Sequence, residues 1–375
     1  MILWGRLFYY IRRPNTLNSN SGLRSRIEAF PKSLEKFSFI IFGLLYKLRK
    51  EHSKEKFIIS VMKQIKNKKI FVAGGTGFVG KRLIAKLKEK KIPYVTTSLS
   101  LGTDFRNFKQ TLNFFKKHKP SIVINTSAYV GGIKFGIDHS GEMYYNNILM
   151  SAYLIESARL TNVEKFISPI SNCAYPDVVS KDFKEDEFWD GRLNETVMPY
   201  GMARKAQWVQ TWAYSKQYKM KFVNLILPNM YGPGDYFDEK RSHALGALMM
   251  KIAKAKKENQ KEVIVWGTGK PVREWLYVDD GVEALIKAIN LNYLVEPINI
   301  GVGQGISIKE LALLIKKIIG YKGRLVFDST KPDGAPYKVM NVKRCKKVFN
   351  WLPSTILEDG IEKTYKWYLA NISKE

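Results

Sequence analysis

The segment "MPYGMARKAQW", residues 198–208, places a tyrosine one helical turn before two cations. A phenol beside a fixed positive charge ionises more readily, so Tyr200 is a candidate proton donor near neutral pH. Arg204 stands at i+4 and Lys205 at i+5. Position i+4 of a helix lies nearly above the tyrosine, whereas i+5 points well to one side. We therefore predict that Arg204 is the cation beside Tyr200.

A serine and a cysteine follow the strand-like run "KFISPIS" in the segment "ISNCAYP". Ligands of parallel sheets bind at the carboxyl ends of the strands, so Ser171 and Cys173 are expected at the rim of that crevice. Ser171 and Tyr200 can both bond a substrate carbonyl oxygen there. As a hydride arrives at the carbon, the tyrosine supplies the proton. Taken alone, Cys173 is typical of a small buried hydrophobic residue.

The segment "KKIFVAGGTGFVGKRLIAKLKEK", which begins at Lys68, predicts a buried strand, a glycine turn and an amphipathic helix. Its glycines, Gly74, Gly77 and Gly80, have the spacing G-x-x-G-x-x-G. Such glycines let the backbone turn tightly and approach a pyrophosphate at the positive end of the helix. Because the trio lies between a strand and a helix, it predicts a dinucleotide site.

Further strand-like and helical runs alternate after the glycine turn. The helical runs cover about 106–118, 142–160 and 200–218, and the strand-like runs are "PYVTTS", "SIVINTSA", "KFISPIS" and "KFVNLILPNM". This alternation predicts an α/β fold, a Rossmann-type doubly wound parallel sheet, with a smaller C-terminal α/β substrate lobe. Asn125, Ser127 and Ala128 are then expected to line the cofactor crevice.

The end of the second strand bears on the choice of cofactor. NAD-specific folds usually have an acid there, and this chain has "VTTSLS" instead, which favours NADP(H). The stretch contains no arginine for a 2′-phosphate, so NAD(H) stays open as the alternative. Ser98, Ser100 and Arg82 are the available contacts.

Several separated motifs between residues 68 and 370 make the chain resemble the extended short-chain dehydrogenases/reductases and, within them, the GDP-L-fucose synthase family. The specific ones are "YVGGI", "SNCAYP", "SHALGAL" and "STKPDG". The resemblance implies 3,5-epimerisation and 4-reduction of GDP-4-keto-6-deoxy-D-mannose or a related keto sugar. An NAD-retaining nucleotide-sugar epimerase or dehydratase is the alternative, and a non-catalytic nucleotide-binding scaffold is a third hypothesis.

Catalytic roles follow from the resemblance at matching positions. Ser171, Tyr200 and Arg204 would form the reductase apparatus, and Cys173 and His243 the acid/base pair for the carbons beside the keto group. Hydrogens next to a ketone are acidic, and inverting a carbon needs one group to remove a proton and another to return it. The family has lysine where this chain has Arg204. If the cation acts only as a charge and a ribose ligand, activity survives the replacement; if it must relay protons, reduction is impaired.

Binding residues are predicted at two sets of positions. Asp279 and Asp280 are expected to begin a helix, not to act in catalysis. The cofactor contacts are predicted at Gly74, Gly77, Phe78, Val79, Gly80, Asp104, Asn125, Ser127, Ala128, Tyr200 and Arg204. The substrate contacts implied by the resemblance are Lys251, Trp266, Arg273 and Lys338.

The whole chain of 375 residues carries 62 Lys+Arg and 34 Asp+Glu, a net charge of +28. This surplus favours anionic partners, but no nucleic-acid recognition motif accompanies it, so nucleic acid is not expected. Two cysteines and four histidines show no disulfide or metal-ligand spacing, so we predict no metal and a reducing, cytoplasmic location. By resemblance, helices near 142–160 and 200–218 pair in a homodimer.

Residues 1–67 are predicted to be a basic, partly apolar N-terminal extension. Its opening run is interrupted by Arg6 and lacks a cleavage site, so no secretory signal is expected. The run "FSFIIFGLLY" is about half the ~20 residues that span a bilayer. Docking on the protein or a partly disordered arm is favoured, with weak membrane-surface contact as the alternative. Residues 68–375 form the predicted enzyme domain, with the cofactor part mainly at 68–240 and the substrate lobe mainly at 241–375.

Overall fold

The computed structural model describes residues 68–177, 181–238, 241–291 and 294–372. The predicted N-terminal extension lies outside the described residues. Six parallel strands form the central sheet in the order β2-β1-β3-β4-β5-β10. These strands are β1 (Ile70–Ala73), β2 (Tyr94–Thr97), β3 (Ile122–Asn125), β4 (Lys165–Ser171), β5 (Lys221–Leu227) and β10 (Leu294–Asn299).

Helices connect the strands and cover the sheet. In the first half of the chain they are α1 (Phe78–Glu89), α2 (Phe108–His118), α3 (Ile133–Asp138), α4 (Ser140–Leu160) and α5 (Met198–Tyr218). The strands β1 and β3 are buried along their whole length, because helices pack on both faces of a parallel sheet. The strand order and these connections confirm the predicted Rossmann-type fold.

The second half of the chain adds small sheets and further helices. Its helices are α6 (Ala244–Lys257), α7 (Val278–Ala288), α8 (Ile308–Ile319), α9 (Lys343–Phe349) and α10 (Leu357–Asn371). Its short strands are β6 (Asn229–Tyr231), β7 (Glu262–Trp266), β8 (Val272–Arg273), β9 (Trp275–Tyr277), β11 (Ile306–Ser307), β12 (Arg324–Asp328) and β13 (Tyr337–Lys338). They pair as β11-β8-β13, β12-β7 and β6-β9.

Separate apolar clusters support the two halves. One cluster under the central sheet joins β1 to α2 and α4 through Phe71, Phe115 and Leu154. Another joins α6, α8 and α10 through Met249, Ile315 and Ile361. The smaller lobe therefore has a core of its own. In the described part of the chain, no helix is long and apolar enough to cross a membrane.

Candidate active site

The glycine turn between β1 and α1 is built for close approach of backbone. Gly74 has a φ of +82°, which favours glycine. A Cβ on Gly80 would lie 2.3 Å from the Gly74 carbonyl oxygen, so only glycine lets α1 pack on the turn. Three hydroxyl groups lie together at this turn: Thr76 Oγ1 is 2.8 Å from Ser98 Oγ and 2.9 Å from Ser100 Oγ. The turn offers backbone amides and hydroxyls to a phosphate.

A cavity of about 300 Å³ opens at the carboxyl ends of the central strands. It brings together most of the predicted site residues, although they lie far apart in the sequence. They are Gly77, Phe78, Val79, Asn125, Ser127, Ala128, Ser171, Cys173, Tyr200, Arg204, His243, Arg273 and Lys338. The sheet topology therefore assembles one site from the glycine turn, the ends of β3 and β4, and α5.

Tyr200 and Arg204 lie against each other on α5. The guanidinium carbon of Arg204 is 4.9 Å from the centre of the Tyr200 ring. Lys205 points elsewhere, where its Nζ donates to the Phe188 carbonyl at 2.7 Å and lies 4.6 Å from the Trp189 ring. Helical geometry thus selects Arg204 as the cation beside the tyrosine, as i+4 spacing predicts.

Ser171 and Cys173 lie in the turn that follows β4. The Ser171 hydroxyl oxygen accepts a hydrogen bond from the Cys173 backbone amide at 3.2 Å. Its own proton remains available to a ligand. Gly201, beside the tyrosine, lets α5 pack on this turn, since a Cβ there would lie 2.4 Å from the Cys173 carbonyl oxygen. The glycine of "PYGMARK" therefore brings Tyr200 to the serine and cysteine.

Charged and titratable side chains line the cavity together with the Cys173 thiol. Burial lowers the pKa of Lys338 to about 8, and the charge of a Cys173 thiolate opposes that shift. Burial also lowers the pKa of Arg273, again opposed by Cys173. His243 occupies the position just before α6, and burial lowers its pKa below the ordinary value of 6.5, so the imidazole is neutral at neutral pH. The site can therefore hold anions beside a thiol and a proton-accepting imidazole.

Comparison with known proteins gives the family. Residues 70–301 match the NAD dependent epimerase/dehydratase family. The chain belongs to this family. GDP-L-fucose synthase 1 of Arabidopsis thaliana is 35% identical over 307 residues, covering 82% of this chain and 95% of the relative. The family resemblance predicted from the motifs is confirmed.

Solved structures of the family superpose on the chain. A GDP-6-OMe-4-keto-L-xylo-heptose reductase from Campylobacter jejuni has a TM-score of 0.76 and 28% identity, covering 81% of this chain and 98% of that one. A GDP-L-fucose synthetase from Naegleria fowleri bound to NADP has a TM-score of 0.74 and 26% identity, covering 82% of this chain and 95% of that one.

The family name implies a dinucleotide, and the unpaired buried donors of the cavity lining show whether the cavity suits such a ligand. Among the described residues, four cavity-lining side chains have such an atom: Asn172 Nδ2, Arg204 Nε, Arg241 Nε and Trp275 Nε1. All four are N–H donors, and a buried donor left unpaired is costly. A dinucleotide and a sugar nucleotide are rich in acceptor oxygens, so the residues fit these ligands.

Other predicted binding residues lie outside the cavity lining. Asp104 forms an ion pair with Arg106 at 2.8 Å. The predicted substrate contacts Lys251 and Trp266 lie together, with Lys251 Nζ 5.6 Å from the Trp266 ring, away from the cavity wall. Trp266 is half-exposed on the smaller lobe. These three side chains are therefore available to a ligand only if it extends beyond the cavity.

Two aspartates take the positions expected of them at the start of α7. Asp279 and Asp280 stand in its first turn. The Asp279 carboxylate also accepts two hydrogen bonds from Arg82, one from Nε at 2.8 Å and one from Nη2 at 2.6 Å. Arg82, considered above as a phosphate contact, is therefore already paired with a carboxylate.

Three residues with prominent positions around the site escaped sequence reasoning. Asp235 and Arg241 line the cavity, and Gln207 lies behind Arg204. Burial raises the pKa of Asp235 to about 7. Arg241 directly precedes the "SHALGAL" motif and Asp235 lies six residues before Arg241, which was a usable signal, whereas Gln207 looked like an ordinary helix residue. The described residues hold no group of three or more His, Cys, Asp or Glu side chains that could bind a metal.

Proposed function

We propose that the protein carries out NADPH-dependent 3,5-epimerisation and 4-reduction of a GDP-4-keto-6-deoxy sugar, giving GDP-L-fucose or a closely related sugar nucleotide. The observation that carries the proposal is the convergence of Ser171, Cys173, Tyr200 and His243 on one cavity. The names of the relatives support the substrate class, since they include GDP-L-fucose synthases and reductases of GDP-keto sugars.

The reductive half of the reaction belongs to Ser171, Tyr200 and Arg204. The two hydroxyls bond the keto oxygen and polarise it. NADPH, when bound, supplies a hydride to the keto carbon. Tyr200 gives its proton to the oxygen, and the guanidinium beside the ring stabilises the phenolate that remains.

The epimerising half belongs to Cys173 and His243. One group removes a proton from a carbon beside the ketone, and the other returns a proton on the opposite face. The neutral state of His243 makes it a proton acceptor. Hydrogen bonds from Ser171 and Tyr200 to the keto oxygen stabilise the enolate formed in between. The same two hydroxyls therefore serve both halves of the reaction.

Cations and donors account for binding of the nucleotide parts. Arg273 and Lys338 line the cavity and carry the charge that suits a diphosphate. The glycine turn and the hydroxyls of Thr76, Ser98 and Ser100 suit the phosphates of NADP(H). The absence of an acid at the end of β2, together with the NADP-bound relative, supports NADP(H) over NAD(H).

A panel of substrates tests the proposal on the purified full chain. GDP-4-keto-6-deoxymannose and a GDP-4-keto-heptose are incubated with NADPH or NADH in D₂O. We expect oxidation of NADPH and deuterium at the carbons flanking the former ketone for at least one sugar. Tightly retained NAD with no NADPH consumption would instead identify a hydride-returning epimerase or dehydratase. Absence of turnover with every sugar would support the scaffold hypothesis.

The proposed function also assigns roles to the parts of the chain and to a second copy of it. Residues 68–375 would act as the enzyme domain, with the cofactor held mainly by 68–240 and the sugar nucleotide mainly by 241–375. The protein would act as a homodimer through α4 and α5. Large exposed hydrophobic side chains on these helices support that pairing: Tyr144, Tyr145, Leu160, Met202, Val209, Trp212 and Tyr218.

A further inference from the structure

A buried polar network lies behind Tyr200, on the side of α5 that faces the sheet. Arg204 Nη1 donates to Gln207 Oε1 at 2.5 Å. Arg204 Nη2 donates to the Ser127 carbonyl oxygen and to Asn147 Oδ1, both at 3.3 Å. The shortest of these three contacts is the one to Gln207, and both side chains are at most 4% exposed.

Gln207 is itself fixed by a full set of hydrogen bonds. Its Oε1 also accepts from the Ser151 hydroxyl at 3.0 Å. Its Nε2 donates to the Ser168 hydroxyl and to the Pro169 carbonyl oxygen, the latter at 3.1 Å. Because donors and acceptors on both ends of the amide are satisfied, the oxygen must face Arg204. The network therefore presents one oriented acceptor to the guanidinium.

The acceptors that Arg204 uses are all neutral. An amide oxygen, a backbone carbonyl and a second amide oxygen hold it in place. They fix the guanidinium without cancelling its charge, as a carboxylate would. The Nε atom has no partner in the described part of the chain and can serve a ligand. The arrangement preserves the cation's field beside the Tyr200 ring.

We propose that Gln207 is a positioning residue, which holds Arg204 beside Tyr200 and lets this chain use arginine where its family resemblance predicts lysine. The inference rests on the proposed function of Tyr200 as proton donor. A guanidinium is a rigid fork that needs an acceptor at each arm, whereas an ammonium has three rotatable donors at one point. Arginine at this position therefore depends on Gln207 more strongly than lysine would.

A double-mutant cycle tests the coupling between these two residues. The proteins are wild type, Gln207→Met, Arg204→Lys and the double variant, all as full chains. Gln210→Met is the matched control, because Gln210 lies on the same helix and bonds the Ala152 carbonyl without touching Arg204. The measurements are NADPH affinity by fluorescence titration, and kcat and KM for the keto sugar.

Gln207→Met should lower kcat by about ten- to a hundredfold, since misplacing a catalytic group by up to about 1 Å has an effect of that size. The loss should fall on kcat, with KM for the keto sugar changed little, because Gln207 lies outside the cavity lining and acts through Arg204. NADPH should bind about tenfold more weakly through loss of an oriented donor. In the Arg204→Lys background, the same change should alter each value less than about twofold. Gln210→Met should leave them unchanged.

Equal effects of Gln207→Met in both backgrounds would overturn the proposal and assign Gln207 to packing alone. If Gln207→Met fails to fold, Gln207→Glu replaces it, since it keeps an acceptor but adds a charge that opposes the cation. Unchanged kcat and NADPH affinity in Gln207→Glu would then overturn the proposal. If wild type turns over no keto sugar, the proposed function fails, and the NADPH affinities of the cycle still decide the positioning role.

Discussion

At the scale of single residues, the proposed function gives Tyr200 the proton transfer of the reduction and Cys173 a proton transfer of the epimerisation, so the two steps can be impaired separately. Tyr200→Phe should lower NADPH oxidation by about 10²- to 10⁴-fold, because the ring remains and only the proton donor is lost. Deuterium exchange at the carbons beside the ketone should slow but persist, because the Ser171 hydroxyl still bonds the keto oxygen; mass spectrometry in D₂O reads it. Cys173→Ala is the reciprocal control and should lose exchange. Loss of both activities in each variant would contradict the division of labour.

The proposed role of His243 as a proton acceptor predicts how the deuterium exchange rate depends on pH. Burial lowers the pKa of His243 below 6.5, so the imidazole stays neutral until the pH falls below that value. The acid limb of the deuterium exchange rate should therefore lie below pH 6.5, with a plateau around neutrality. The measurement is the exchange rate across a pH series, with His243→Gln as the control, which should lose the exchange that depends on the imidazole. A midpoint above 6.5 would be inconsistent with a buried, neutral imidazole.

At the scale of elements, Gly201 sets the distance between α5 and the turn after β4. A Cβ there would lie 2.4 Å from both the Cys173 carbonyl oxygen and Leu193 Cδ2. Gly201→Ala should destabilise the fold by about 1–3 kcal/mol and lower kcat about tenfold by displacing Tyr200. Gly141→Ala is the matched helical control, because nothing lies within 4 Å of a Cβ there. The measurements are the urea unfolding free energy and kcat of both variants. Equal losses in Gly201→Ala and Gly141→Ala would contradict the role given to Gly201.

Glu274, between β8 and β9, connects these strands to two other segments of the chain. Its carboxylate accepts from the Gly303 amide at 2.7 Å and the Met340 amide at 2.9 Å, and it is fully buried. Burial raises the pKa of Glu274 to about 7 from 4.5. The folded state thus binds the extra proton, so the stabilising contribution is present below pH 4.5 and is lost as pH rises through 7.

Replacing Glu274 should change both stability and its pH dependence. Glu274→Gln leaves one amide without an acceptor and should cost about 1–3 kcal/mol. Because glutamine does not titrate, this cost should be larger below pH 4.5 than above pH 7. Urea unfolding free energies at two pH values check the difference. The same cost at both pH values would show that Glu274 does not change its ionisation on folding.

The sheet and the chemistry-bearing residues could be predicted because both are local in sequence. Each buried strand is a continuous apolar run in the sequence. The carboxyl ends of β3 and β4 lie at the same edge of the sheet, whatever the length of the segment that connects the two strands. The pairing of Arg82 with Asp279 could not be predicted, because it joins residues 197 positions apart through α1 and α7. The role of Gln207 escaped for the same reason, since its partners on β4 and α4 meet only in the folded chain.

At the scale of the whole molecule, the net charge acts on anions at long range, whereas the cations of the cavity act only on a bound ligand. A net charge of +28 attracts anions over the surface, and salt weakens that attraction. Arg273 and Lys338 act inside the cavity, where screening is weaker. Substrate capture should therefore depend on salt more strongly than the chemical step does.

The exposed apolar faces of α4 and α5 are predicted to form the interface of the homodimer. Trp212 is 42% exposed on α5, beside other exposed hydrophobic side chains of that helix. A two-fold interface repeats each side chain, so Trp212→Glu would place two like charges in an apolar contact. Light scattering after size exclusion should show a dimer for wild type and a monomer for Trp212→Glu. Leu313→Glu, an equally exposed position on α8, should remain dimeric. A monomeric wild type, or dissociation of both variants, would show that α4 and α5 do not form the interface.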